Sequence, residues 1–255
     1  MSDPGRVIFD GQHVRAVHFG ETARICVQLD HGRKDRDGFP AQKPSRWLER
    51  KGIGTLSIVL SDNSWFLTPE NNALRDALDA HCGQAQDVRA IGFSMGGYGA
   101  VLLSQALHLD HALLFSPQYS IFPSRAPWDK RRNRISAAFC EEWDDLEARI
   151  KPDLKGAILF DPRIKWDVLH ARALHAALPG MGMVAVPFGG HPSHKHLIGK
   201  KDFWRITKEL FDQSDLPAWA HRYRRVQRET TEVYLSGMTR YIDMRDSRIP
   251  QEENA

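Results

Sequence analysis

Cysteine is scarce. The 255 residues hold three, Cys26, Cys82 and Cys140, far apart and without a CxxC pair. That count excludes a disulfide framework, argues against a structural zinc site or a dithiol redox couple, and suits a reducing compartment. An excess of either charge is also missing: 35 Lys and Arg stand against 32 Asp and Glu, a formal charge of +3. So small a balance proposes neither nucleic acid nor an anionic membrane as partner. No run reaches the roughly 18 apolar residues of a membrane span, and the opening MSDPGRVIFDG has no basic segment followed by an apolar one. A cytoplasmic protein is expected. What is present is ordinary for a globular chain, 42% hydrophobic and 26% charged residues, enough for one domain over 1–255 with a sizeable core.

Asp10-Gly11 sits between two short apolar runs and suits the positive φ angles of a tight turn, so residues 6–18 read as a β-hairpin. Nearly continuous apolar runs follow at 24–30, 55–61, 88–93, 111–116, 156–161 and 183–188, with helical patterns at 69–82, 96–108, 167–178 and about 193–212 between them. Runs of that kind fit strands covered on both faces, and their alternation with helices predicts an α/β sandwich with a mostly parallel central sheet. Two stretches break the alternation. Residues 117–155 are longer than a crossover requires and read as a small lid, and 215–245 reads as a C-terminal helix.

The stretch AIGFSMGGYGAVL (90–102) places Gly92-Phe93-Ser94-Met95-Gly96, a G-x-S-x-G pattern, where an apolar strand gives way to a helix. A serine in so sharp a turn pushes its hydroxyl beyond the sheet edge, and the residues two before and two after it come too close for side chains. Gly97 and Gly99 would let the helix pack closely on neighbouring strands. No lysine follows the glycines as a phosphate-binding P-loop requires.

On these residues the chain resembles the α/β-hydrolase superfamily over about 20–212. The resemblance implies a three-layer sandwich, a cofactor-free serine hydrolase, and partners in the order serine, acid, histidine, each on a loop after a strand. Asp161 closes the apolar run GAILFD and His191 follows Gly189-Gly190 after the next strand. Asp167 is the rival acid, set aside because it falls in the first turn of a helix, where a carboxylate caps without chemistry. For the developing oxyanion the resemblance implies the amide of Met95 and, from His31-Gly32 after an early strand, the amide of Arg33.

Trp65, after a central strand, and Trp128, beside the basic run 130–134, are candidate substrate-binding residues, and the basic run could meet an anionic or saccharide group. HPSHKH (191–196) has no carboxylate or cysteine nearby in sequence to complete a metal site. The expected substrate is a small-molecule or saccharide ester. Thioesterase, peptidase or acyltransferase activity would use the same triad, and a non-catalytic binding protein could keep the scaffold. Oligomeric state stays open.

Overall fold

The computed structural model describes residues 4–194, 203–230 and 232–247, the side chains of 203–205 and 227–230 aside. At Asp10-Gly11 the chain reverses as expected: β1 (Arg6–Asp10) pairs antiparallel with β2 (Val14–Phe19), and Gly11 N–H donates to Val14 O at 2.9 Å. The apolar runs become β3 (Arg24–Leu29), β4 (Gly54–Leu60), β5 (Asp87–Phe93), β6 (His111–Phe115), β7 (Lys155–Phe160) and β8 (Met181–Ala185). One sheet results, ordered β1-β2-β4-β3-β5-β6-β7-β8. Strand β2 runs antiparallel to β4, and the pairings from β4 to β8 are parallel.

Helices α1 (Arg46–Glu49), α2 (Asn71–Cys82), α3 (Met95–Leu102), α4 (Asn133–Ser136), α5 (Leu146–Arg149), α6 (Lys165–Ala177), α7 (Phe203–Asp212), α8 (Leu216–Thr230) and α9 (Glu232–Asp246) complete the described elements. Successive strand residues point to opposite faces, which is why these strands are apolar at nearly every position. Ala90, Leu114 and Ile158 join Leu74 of α2, Tyr98 of α3 and Leu174 of α6 in one core. Ile91, Phe115 and Leu159 join Leu48 of α1, Leu210 of α7 and Trp219 of α8 in the other. The result is the expected three-layer sandwich. No helix among the described residues is long and apolar enough to cross a membrane.

Residues 117–155, expected as a small lid, pack against the body. Ile121, Phe122 and Leu146 are buried in the first core, and Tyr98 O–H donates to the buried Asp144 at 2.6 Å, where Ser120 also donates. The long C-terminal helix is described as two, α8 against β7 and β8, and α9 with Tyr234 and Tyr241 against Phe188. Of the helix expected over 193–212, α7 is its described part, and 195–202 lie outside the described residues.

Burial pushes the Asp144 carboxyl up to about 6, against the hydrogen bonds from Ser120 and Tyr98 that favour its ionised form. Between the ordinary 3.8 and that value the folded chain holds a proton the unfolded chain has released. This group's contribution to stability is therefore fully present below the ordinary value and is lost as pH rises through 6. Relative to wild type, Asp144→Asn is expected to gain about 2–3 kcal/mol of unfolding free energy between pH 4 and pH 7, measured by urea denaturation at both. A difference independent of pH would mean that Asp144 titrates as an ordinary carboxylate.

Candidate active site

Ser94 joins β5 to α3 with φ 49° and ψ −115°, a left-handed conformation that non-glycine residues seldom adopt. The flanking glycines make that turn possible. A Cβ at Gly92 would lie 2.7 Å from Gly97 Cα, and one at Gly96 would lie 2.7 Å from Asp30 O and 2.8 Å from Leu29 O. Gly97 packs closely on β5 at Gly92 and against Pro117, and Gly99 faces the Phe66 ring in the loop after β4.

The Ser94 hydroxyl lies 2.8 Å from His191 Nε2, and His191 Nδ1 lies 3.0 and 2.9 Å from the two carboxylate oxygens of Asp167. A carboxylate only accepts, so Nδ1 carries the ring proton and Nε2 is left to receive the hydroxyl proton. Asp167 is buried and His191 partly exposed.

The structure therefore corrects the expected acid. Asp161 does stand after β7, but it is buried with Oδ1 accepting from Arg163 N–H and Oδ2 from Gly190 N–H, each at 2.9 Å. One oxygen braces its own loop after β7, the other braces the histidine loop, and neither meets the imidazole. Asp167, in the first turn of α6, points its carboxylate at His191, and the N-cap position of that helix is held by Ile164.

The Met95 amide has no acceptor among the described residues, as a donor awaiting an oxyanion should. Arg33 differs from expectation, because its N–H donates to Asn63 Oδ1 at 3.1 Å while Asn63 Nδ2 donates to Arg33 O at 2.7 Å. Arg33 N–H is occupied and His31 N–H donates to Asp30 Oδ1, while the Gly32 amide between them has no acceptor among the described residues. Arg36 holds the loop in place through Asp30, Leu60 O and His31 O. Burial, then the nearby Arg33, lower the His31 pKa.

Sequence reasoning missed Gln118, which is fully buried, lies 3.5 Å from the Ser94 hydroxyl and donates to Ser116 O at 3.1 Å. The signal was its place directly after β6, the strand beside β5, where loop residues reach the same edge. Trp65 is buried against Tyr98, with the Arg132 guanidinium over its ring at 4.7 Å. Trp128 is half-buried against His170. A cavity of about 630 Å³ is lined by Asp30, His31, Gln42, Phe93, Pro192 and His194 among others, which include chain neighbours of Ser94 and His191 but not those two residues. No group of three metal-ligating side chains occurs among the described residues, and His196 lies outside them.

No protein-family profile matches the chain, and no curated protein matches its sequence. Solved structures do resemble it. The capsule O-acetyltransferase of Neisseria meningitidis serogroup A is 13% identical, with 80% of this chain and 94% of that one covered and a TM-score of 0.55. Est1E from Butyrivibrio proteoclasticus is 14% identical, with 88% and 98% covered and a TM-score of 0.48. A dienelactone hydrolase from Anabaena variabilis is 13% identical, with 82% and 96% covered and a TM-score of 0.47. The mostly parallel sheet, the strained serine between β5 and α3, and the likeness to the first of these structures show that the chain has the fold of the α/β-hydrolase superfamily.

Proposed function

We propose that the chain is a serine hydrolase that cleaves a carboxylic ester through an acyl-enzyme on Ser94. The observation that carries this reading is the unbroken line of hydrogen bonds from the Ser94 hydroxyl through His191 to the buried Asp167. His191 Nε2 takes the hydroxyl proton as Ser94 Oγ attacks the ester carbonyl, and Asp167 holds the ring in the required tautomer and stabilises the imidazolium. The Met95 amide, with that of Gly32 from the opposing loop, faces the developing oxyanion. His191 then protonates the leaving alcohol, and water, activated by the same imidazole, releases the acid. Every group in the cycle belongs to the chain, so the mechanism requires no cofactor.

A fluorophosphonate tests the nucleophile directly. Folded protein is expected to be labelled at Ser94 alone, with labelling abolished in His191→Ala, read by intact-mass and peptide mass spectrometry. Folded protein that stays unlabelled and also hydrolyses no p-nitrophenyl ester would be a binding protein on this scaffold. The likeness to an O-acetyltransferase favours one further arm, in which an added alcohol competes with water for the acyl-enzyme. An acylated alcohol in excess of free acid would make the chain a transferase with the same triad.

A further inference from the structure

We infer that Arg132 is an anion-recognition residue, so that the ester cleaved here carries a carboxylate or phosphate group near its scissile bond. The inference rests on the hydrolase reading above and adds a substrate class to it.

Arg132 ends the short helical turn Lys130–Arg132, with its guanidinium on the face of Trp65. Its guanidinium forms neither a hydrogen bond nor an ion pair with any described residue, and its Nε is buried. Its neighbour Arg131 shows what a satisfied arginine looks like in the same turn: two bonds of 2.7 Å to the carboxylate of Asp129. The indole N–H of Trp128, four residues before Arg132, is likewise buried without an acceptor among the described residues. Burial, and then Arg131, weaken the hold of Arg132 on its proton, and the fields of Asp129 and Asp167 oppose this. Asp167 spends both carboxylate oxygens on His191 and pairs with no arginine within bonding distance.

Its place in the fold sets this cation along the sheet edge that carries the reaction centre. Trp65 belongs to the loop after β4 and Asp167 to the helix after β7, and β3, β5 and β6 lie between those strands in the sheet. A side chain that meets the first and feels the second lies across the edge where β5 presents Ser94. Trp65 is a fixed platform there, wedged edge-on against Tyr98 at a ring separation of 5.8 Å. A half-desolvated guanidinium without a counter-ion is unfavourable, and an oxyanion that takes its planar fork relieves the cost.

Two ester pairs test this, one charged on the leaving group and one on the acyl group: 4-acetoxybenzoate against its methyl ester, and mono-(4-nitrophenyl) succinate against 4-nitrophenyl butyrate. In wild type the charged member of at least one pair is expected to have the higher kcat/KM by about tenfold, a preference that shrinks as salt is added. In Arg132→Gln that ratio falls about tenfold and in Arg132→Lys it falls less. Ratios near one for both pairs, or a ratio unmoved by Arg132→Gln, overturn the inference. Calorimetry on Ser94→Ala supplies a readout that needs neither turnover nor an altered Arg132. There 4-acetoxybenzoate is expected to bind at least about tenfold more tightly than its methyl ester, with benzoate or inorganic phosphate competing. Equal binding of the two, and of the succinate and butyrate esters, overturns the anion site. Preferential binding without turnover of any ester removes the hydrolase reading and leaves the anion site standing.

Discussion

Asp167→Asn is expected to lower kcat for ester hydrolysis about 10⁴-fold with little change in KM. An asparagine fits the buried space, but its amide N–H can donate to His191 Nδ1 and stabilise the tautomer whose proton sits on Nε2. That nitrogen could then no longer accept from the Ser94 hydroxyl at 2.8 Å. Asp161→Asn supplies the contrast. It sets one amide N–H against the N–H of Gly190 or Arg163, which costs about 1–3 kcal/mol of stability, and it leaves the imidazole's own bonds in place. Less than a tenfold loss of activity is expected from it. Steady-state rates on p-nitrophenyl esters from acetate to octanoate decide between the two, and the opposite ranking would restore Asp161 as the acid.

Ser94 and His191 were legible because their positions leave a backbone signature. Glycines crowd a strained turn on either side of the serine, and Gly189-Gly190 lead straight into the histidine after a strand. The acid leaves no such mark. Asp161 and Asp167 follow the same strand six residues apart, and each has a sound local reason to be there. Sequence reasoning treated the helix-terminus role of Asp167 as exclusive of chemistry. In the folded chain the first turn of α6 begins at the same sheet edge as the histidine loop, so a carboxylate there can favour the helix end and face His191 at once.

Partners distant in sequence were the other blind spot. Nothing local to Arg33 says that Asn63, thirty residues on, takes its amide. Nothing in the charged stretch 125–149 says that Asp144 turns inward to Tyr98 and Ser120 and ties the expected lid to α3. The parallel sheet was easier to read. Its strands are covered on both faces, and that burial writes itself into each run of residues independently of its neighbours.

The same close packing makes Gly96→Ala a severe change at the elbow without touching a reacting atom. One added methyl would meet the carbonyl oxygens of Asp30 and Leu29 at 2.7 and 2.8 Å, and both are backbone. Neither can retreat. Strand β3 is held by ladders to β4 on one side and β5 on the other, and Arg36 ties Asp30 to the end of β4. The first turn of α3 must move instead, taking the Ser94 hydroxyl and the Met95 amide with it. Alanine returns about 1 kcal/mol of helix propensity over glycine, whereas overpacking costs about 1–3 kcal/mol, so the net loss of stability is expected to stay within about 0–2 kcal/mol. The rate is far less forgiving, since a misplacement of about 1 Å can cost about 10²-fold. Gly96→Ala is therefore expected to unfold slightly earlier in urea yet lose at least about 10²-fold in kcat/KM and in the rate of fluorophosphonate labelling. Losses of equal weight in stability and rate would mean that the turn merely holds the fold together, and a variant unchanged in both would mean that β3 yields where its ladders say it cannot.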